Sequence, residues 1–558
     1  MAKNPTFNLK SGADSDLIVA REETNTSAET LGKIKRRDGL YRFPYLTRRT
    51  GDTLTGTTEN IESNELRHGR TKSAAQKGTS SASGDINFEF SAETFDDMME
   101  AAFRGKWKRW KNDTNSPSNK KGNTYANGYF DTKCAETSAG KKLIGTDASA
   151  LIRMANADNF IIHELNSETD DIKYSLLRKL GGQTNEDLWQ EFEHMAVNNM
   201  QLSVQINSII TGSFGFMGAN NPKLLDSDET VKHFETRMDS ISNNDDLLDR
   251  GKFSTSATYA VGDMVLYETD GYCYKCHTAV SSAGAWTGTT NWTKLEAYDY
   301  IDAIPDHATD TVQYTARQGF LYLNGEKIEF AQNLSFALDN GITQKFAILV
   351  PNAISSTPLE LDITGDLSTY VIGGSESKAK KIFNNAVDNG DVELLFCLQD
   401  KLDDPTSFYV FQIFKAKHTD NSVNGNGSDT FDESLPWQSY GEQACRVFKA
   451  LLPRFTEAKD ADVSTAGYSD AVVLTPNTLL ESTDLTGIRA FVSVDGGTES
   501  ELTLSASNMT LETDTTQDDY GLVTIKHGVE QTSSEQSVSV RVTWNGFETT
   551  RSFTIPAS

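Results

Sequence analysis

Three residues have the types and the spacing for cofactor chemistry: Cys273, Cys276 and His277. Their order matches the Cys-x-x-Cys-His sequence of covalent haem attachment. They lie in an aromatic stretch that predicts a strand, where Cys273 and Cys276 would point to opposite faces because side chains alternate. Haem attachment also needs an export route, and the first residues contain no apolar signal segment. A zinc site would need a second pair of ligands nearby, which the sequence lacks. We therefore expect no cofactor and no metal here.

The sequence contains none of the common catalytic motifs. It has no phosphate-binding glycine loop and no Gly-x-Ser-x-Gly turn, and His163-Glu164 is not followed by a second histidine at helical spacing. The 79 acidic residues make carboxylate pairs frequent by chance, so such pairs identify no site. The five cysteines are odd in number and scattered, which argues against a disulfide framework. The sequence predicts a protein that is not an enzyme and has no catalytic residues.

The chain is strongly acidic, with a formal net charge of −27 over 558 residues. Nucleic-acid binders normally carry the opposite balance, because their affinity comes from neutralising phosphates. Acidity would let DNA slide past without sticking, although it also serves solubility alone. The basic stretch from Arg104 to Lys111, interleaved with Trp107 and Trp110, fits a nucleic-acid site. In an acidic chain we favour the alternative, a contact with the acidic face of a neighbouring copy.

The elements that would position these residues are mostly strands. Between Ser83 and Ser91 every second residue is apolar (Ile86, Phe88 and Phe90), which predicts a strand with one buried face. Apolar residues at helical spacing follow: Phe95, Met98, Met99, Ala102 and Phe103. They predict a short amphipathic helix, with Ser91 as its N-cap and Glu93 placed favourably for the helix dipole.

The same order of elements recurs nearly three hundred residues later. Thr364-Gly365-Asp366-Leu367 opens a predicted strand as Ser83-Gly84-Asp85-Ile86 does. A second helical stripe with the same spacing follows at Ala379, Ile382, Phe383, Ala386 and Val387. Further strand patterns come after each copy. The sequence therefore predicts an internal duplication of one domain built from strands and a short helix.

Two further segments differ in character. Clustered aromatic residues and short strand patterns from Phe253 to Leu295 predict a small inserted β-module. From Ala471 onward, alternating Val, Ser and Thr residues with regularly spaced polar turns are typical of an immunoglobulin-like sandwich without a disulfide. The residues from Ala458 to Asp470 resemble a linker.

The segment Ile61-Glu62-Ser63-Asn64-Glu65-Leu66-Arg67 precedes the Ser83-Gly84 strand. This order of motifs resembles the two-part tail tube family of siphophages. Gly319–Gly325 resembles its linking hairpin, and Leu334–Gly341 is similar to its second-domain strand. The resemblance covers about residues 40–220 and 300–450. The inserted module resembles chitin-binding-type carbohydrate modules through Tyr259-Ala260-Val261-Gly262-Asp263, Tyr272 and Trp292.

The resemblance implies a mainly β fold class with two tandem tube domains, each with a short α-helix. It implies the following division: N-terminal arm 1–39, first tube domain 40–250, inserted module 251–297, second tube domain 298–457, linker 458–470 and immunoglobulin-like domain 471–558. The function implied is that of a structural virion protein. Copies would self-assemble into stacked rings that form a phage tail tube for genome ejection.

The partners follow from the same resemblance. Three copies would close a ring with pseudo-sixfold symmetry, with hexameric rings as the alternative, and the tube would meet tail tip or baseplate, tape measure and tail terminator proteins. DNA would pass transiently and without specificity. We expect inter-ring contacts from Lys106, Lys108 and Arg109. Outward decoration domains would bind a host-surface glycan weakly, with Tyr272 and Trp286 as the glycan-facing residues.

Two other functions are alternatives to this one. A cell-surface carbohydrate-binding adhesin would explain the two appended modules but normally needs an export signal, and an enzyme would need a convergent polar pocket. The longest apolar run, Phe346–Val350, is far too short to span a bilayer, so no membrane insertion is expected. The expected location is the virion tail, after synthesis in the cytoplasm of a bacterial host.

Overall fold

The structure of the chain is a computed structural model. It describes residues 15–23, 34, 37–38, 41–62, 75–109, 161–180, 188–226, 253–259, 263–267, 269, 272–282, 284–294, 312–324, 326–348, 350, 352–353, 355–371, 390–401, 405–420, 422–425, 431–441, 444–460, 470–478, 480–513 and 521–555. The described part is mainly β, with antiparallel sheets and a single α-helix, so the predicted fold class is confirmed. None of its helices is both long and apolar enough to cross a membrane.

The described residues of the first half form one helix, α1 (Asp96–Phe103), and thirteen strands. They are β1 (Leu17–Arg21), β2 (Arg37–Asp38), β3 (Tyr41–Arg42), β4 (Tyr45–Leu46), β5 (Gly51–Asp52), β6 (Thr55–Ile61), β7 (Gln76–Glu89), β8 (Lys108–Arg109), β9 (Ile161–Asn166), β10 (Lys173–Lys179), β11 (Leu188–Gln205), β12 (Thr211–Gly218) and β13 (Lys223–Asp226).

The inserted module and the second half follow. The module strands are β14 (Met264–Tyr267), β15 (Tyr272–Cys276) and β16 (Trp292–Lys294). The second half contains β17 (Gly319–Leu323), β18 (Glu326–Ile328), β19 (Ala331–Asp339), β20 (Thr343–Lys345), β21 (Ser355–Thr357), β22 (Asp362–Tyr370), β23 (Val392–Gln399), β24 (Ser407–His418), β25 (Ser422–Gly425), β26 (Phe431–Ser439) and β27 (Cys445–Leu451).

The C-terminal strands are β28 (Phe455–Asp460), β29 (Ala471–Pro476), β30 (Arg489–Val494), β31 (Ser500–Leu502), β32 (Met509–Leu511), β33 (Val523–Lys526), β34 (Gln536–Trp544) and β35 (Phe547–Ile555). They form two four-stranded antiparallel sheets, ordered β28-β29-β33-β32 and β31-β30-β34-β35. Apolar residues of both sheets share one core, which makes this region a β-sandwich. The predicted linker 458–470 begins inside strand β28. The assignment as immunoglobulin-like stays a prediction.

The strand and helix predicted between Ser83 and Phe103 are present as β7 and α1. Ile86 and Phe88 are buried in the core, as the alternating pattern predicted. The predicted N-cap is wrong: the helix is capped by Phe95, without a side-chain hydrogen bond. The Ser91 hydroxyl instead lies 2.8 Å from the Thr94 hydroxyl, which fixes a turn before the helix starts.

Strand pairing in the two halves follows one plan, and the predicted domain duplication stays a prediction. In the first half Gly84 of β7 lies opposite Phe216 of β12, and in the second half Gly365 of β22 lies opposite Trp437 of β26. Both glycines allow close approach: a Cβ on Gly365 would lie 2.2 Å from the Ser335 carbonyl oxygen. The predicted second helix, 379–387, lies outside the described residues.

The inserted module folds around its aromatic residues. Its three strands form one antiparallel sheet in the order β14-β15-β16. Tyr259, Val265, Cys276 and Trp292 are buried together as its small core. Cys276, the second cysteine of the haem-like motif, is thus a core residue, and burial raises the pKa of its thiol.

Candidate assembly site

One sheet runs through both halves of the chain without a break. Its central strands follow the order β6-β7-β12-β11-β19-β22-β26-β25, so β11 of the first half pairs directly with β19 of the second. The pairing is antiparallel and extends from Asn199 opposite Asp339 to Gln205 opposite Asn333. At its centre Leu202, 2% exposed, lies opposite Phe336, 1% exposed. The two halves are therefore joined by backbone hydrogen bonds and a buried apolar face.

A second pairing crosses between the halves in another part of the structure. Strand β9 of the first half pairs along β27 of the second, from Ile161 opposite Leu451 to Asn166 opposite Arg446. Strand β8, which follows α1, continues this arrangement by pairing with β9. Two separate strand pairings therefore hold the halves together.

The continuous sheet ends in two strand edges. Within the part of the chain that the structure describes, β25 pairs only with β26 at one end, and β6 pairs only with β7 at the other. Apolar residues on these terminal strands face solvent: Val423 on β25 is 46% exposed and Ile61 on β6 is 57% exposed. An exposed edge strand offers its N–H and C=O groups to a further strand.

A buried ion pair locks helix α1 of the first half onto the second half. The Asp96 carboxylate accepts hydrogen bonds from Lys449 Nζ at 2.7 Å and from Tyr409 Oη at 2.6 Å. The Lys449 ammonium also lies 4.6 Å from the centre of the Trp107 ring. Asp96 is 3% exposed and Lys449 4% exposed, so both charges depend on this contact rather than on water.

Two further acidic residues of the same helix contact strand β1. Arg21 Nη1 lies 3.1 Å from Glu100 Oε2 and 3.1 Å from Asp97 Oδ1. The Trp107 backbone N–H donates to Glu100 Oε1 at 2.9 Å. Burial raises the pKa of Glu100 to about 7 against the opposing effect of Arg21. The helix therefore serves as a charged core element that ties the N-terminal strand, α1 and the second half together.

The three predicted contact residues lie close in sequence but have different surroundings. Lys106 is exposed. Lys108 forms a salt bridge with Glu168 of the same chain. Arg109 forms a two-pronged ion pair with Asp484 of the C-terminal sandwich, in which Nη2 lies 2.7 Å from Oδ1. The structure thus gives Arg109 an intrachain role, the attachment of the sandwich to strand β8.

The two predicted glycan-facing residues belong to the inserted module. Tyr272 begins strand β15, and its side chain lies outside the described residues. The Trp286 ring stacks on Tyr267, with centroids 4.1 Å apart, and on Trp292, with centroids 5.0 Å apart. Trp286 is therefore half-buried among the module's own rings.

Sequence reasoning missed the residues that join the halves. Asp96, Glu100 and Lys449 were not singled out, although all eight residues of α1 are buried. One sequence pattern could have indicated them. The helix whose apolar stripe predicts burial in the core also contains three acidic residues, Asp96, Asp97 and Glu100, which would need buried partners. Among the residues that the structure describes, no group of three or more His, Cys, Asp or Glu could hold a metal ion.

Comparison with known proteins gives one family match. A family model described as phage tail tube protein matches residues 12–261, slightly under half of the chain. Comparison with curated proteins gives no match. The match supports a structural role in a phage virion tail tube.

Comparison with solved structures gives 23 matching chains. One is a hybrid structure of the SPP1 tail tube by solid-state NMR and cryo-EM: 14% identical, covering 23% of this chain and 74% of that chain, with a TM-score of 0.18. Another is a cryo-EM structure of the anti-feeding prophage baseplate, 6-fold symmetrised: 13% identical, covering 23% of this chain and 89% of that chain, with a TM-score of 0.16. At these scores neither similarity carries an argument about this chain.

Proposed function

We propose that this chain is the building block of a phage tail tube: copies join edge to edge into rings, the rings stack, and the tube conducts the genome. The observation that carries the proposal is the continuous sheet of the two halves, which ends in two exposed strand edges. The family match over residues 12–261 supports the same role. Three copies would supply six tube domains, giving a ring with pseudo-sixfold symmetry.

Net charge is consistent with passage of DNA. The chain carries a formal charge of −27. An electronegative channel would repel the phosphates, so that DNA would pass without being held. The tube would contact tail tip or baseplate, tape measure and tail terminator proteins. The inserted module and the C-terminal sandwich would project outward.

Electron microscopy of the purified full chain over a range of concentrations tests this function. We expect hollow tubes of stacked rings with outward knobs. Val423→Lys should abolish them, because it places a charge on the exposed edge of β25. Val423→Thr is the matched control, since it has nearly the same shape without the charge, and Thr510→Lys adds the same charge to the sandwich. Single particles of one chain at every concentration, with the wild-type sequence, would contradict the proposal.

Inter-ring contacts through the basic stretch are a separate part of the proposal. Because Arg109 pairs with Asp484 within the chain, its substitution would also disturb the sandwich. The cleaner variant is therefore Lys106→Glu with Lys108→Glu. We expect it to leave rings intact and to prevent their stacking, as seen by electron microscopy. Tubes of normal length from this variant would show that the stacking contact lies elsewhere.

Weak binding of a host-surface glycan is the proposed role of the inserted module. The ring of Trp286 packs on neighbouring rings of the module, so Tyr272 is the more informative residue to test. Tyr272→Ala should reduce binding on a glycan array without changing tube formation. Equal binding by wild type and variant would remove Tyr272 from the proposed site.

A further inference from the structure

We propose that copies of this chain join by pairing β25 of one copy with residues 53–55 of the next, in the register that β11 and β19 use within one chain. The inference rests on the proposed function and adds the residues of the contact and their alignment. The partner is a second copy of the same chain. The register follows from the correspondence between equivalent strands in the two halves of the chain.

The strand edge to which a further strand is added has corresponding residues in the two halves. Thr55 lies opposite Ser83, the residue before Gly84, and Ala337 lies opposite Thr364, the residue before Gly365. Because Gly84 and Gly365 hold the same place in the two halves, Thr55 corresponds to Ala337. Residues 53–55, with Leu54 buried in the core, thus form the first-half counterpart of the β19 segment 335–337.

The strand that is added to such an edge also has corresponding residues in the two halves. Gln201 of β11 lies opposite Ser213, three residues before Phe216. Ser422 of β25 lies opposite Ser434, three residues before Trp437. Since Phe216 and Trp437 face the two equivalent glycines, Ser422 corresponds to Gln201. Strand β25 is therefore the second-half counterpart of the part of β11 that pairs with β19.

The pairing of β11 with β19 within one chain therefore gives the pairing of β25 with residues 53–55 between two chains. Within one chain Gln201 lies opposite Ala337. Between chains the same relation places Ser422 opposite Thr55. It also places Val423 opposite Leu54, as Leu202 lies opposite Phe336 inside the chain. The direction is antiparallel in both cases.

The exposure of corresponding residues fits this transfer. Leu202, which lies opposite Phe336 of β19, is 2% exposed, whereas its counterpart Val423 is 46% exposed in the single chain. Strand β25 has the sequence Ser-Val-Asn-Gly, without the lysine or proline that commonly protects edge strands. The edge of β25 is therefore built for pairing, and the β11–β19 contact specifies its partner.

A cysteine pair tests the register in the full-length chain. Directly opposed residues of an antiparallel pair have Cα atoms about 4.5–5.5 Å apart, within disulfide range. We expect Thr55→Cys with Ser422→Cys to form disulfides between chains on oxidation, moving most of the monomer band on a non-reducing gel to dimer and closed trimer. Gln201→Cys with Ala337→Cys is the positive control, which should close within a single chain.

Two further samples serve as controls. Thr57→Cys with Ser422→Cys is displaced by two residues and should cross-link at least tenfold less. The wild-type chain, oxidised in the same way, controls for the native cysteines. Equal cross-linking of the displaced pair would overturn the register. Absence of cross-linking in Thr55→Cys with Ser422→Cys, in a sample that forms tubes by electron microscopy, would overturn this inference and leave the proposed function standing. Absence of cross-links, together with absence of tubes from the wild-type chain, would overturn both.

Discussion

Replacing Asp96 by asparagine should destabilise the contact between the two halves more than any surface substitution. The carboxylate lies 2.7 Å from the Lys449 ammonium, and both side chains are almost completely buried. Asparagine has the same shape and can still accept the hydrogen bond from Tyr409. The substitution therefore removes the negative charge that contacts Lys449 directly, and leaves the buried ammonium beside the Trp107 ring with only the weaker electrostatic attraction of Glu93 and Glu100.

The expected loss follows from the distance and the burial. At 2.7 Å and an effective dielectric constant of about 20, the attraction between the two charges is about 6 kcal/mol. Part of this offsets the cost of removing both charges from water. Breaking a buried pair by removing one partner typically costs about 3–5 kcal/mol, and we expect Asp96→Asn to fall in that range.

Urea unfolding followed by tryptophan fluorescence, at a concentration where the chain is monomeric, measures the loss. The matched variant combines Asp96→Asn with Lys449→Met, which removes both charges and keeps an unbranched side chain. It should recover most of the stability, because a buried pair replaced by apolar groups is often neutral. A loss below about 1 kcal/mol for the single variant, or a double variant no more stable than the single, would refute the reasoning.

Three further substitutions test other contacts. Burial raises the pKa of Glu100 to about 7, so ionisation of this carboxyl lowers the stability of the wild type as the pH rises from about 4.5 through 7. Glu100→Gln should therefore gain stability relative to the wild type between pH 5 and pH 8, by up to about 3 kcal/mol in thermal unfolding. A stability difference between variant and wild type that does not change with pH would contradict this. Reversing the charge of either Arg109 or Asp484 should remove about 1 kcal/mol of the free energy that attaches the sandwich. Exchanging the two residues should restore it, and a double-mutant cycle measures both effects. Gly365→Ala should cost about 1–3 kcal/mol in urea unfolding because its Cβ meets a backbone oxygen, whereas Gly51→Ala, with open space around it, should cost little.

Local patterns determined the individual elements correctly where one period and one buried face were enough. Strand β7 and helix α1 were predicted because alternation and helical spacing of apolar residues are set by neighbours in sequence. The start of α1 was not, since Ser91 and Thr94 form a turn and Glu93 adopts a positive φ of 67°. That turn is further held by Tyr409, whose hydroxyl accepts the Glu93 N–H at 2.9 Å, 316 residues along the chain.

The sequence by itself determined the mainly β class, the repeat of the Ser/Thr-Gly-Asp strand, the aromatic module and the C-terminal sandwich. Each depends on residues that are close together in the chain. Only the tertiary structure decided that β11 continues into β19, that Lys449 neutralises Asp96, and that Arg109 pairs with Asp484. These contacts join residues more than a hundred positions apart, and any of the 79 acidic side chains could have met any of the 52 basic ones. Which strand edges stay exposed is likewise a property of the folded sheet, because edge and central strands share the same alternating pattern.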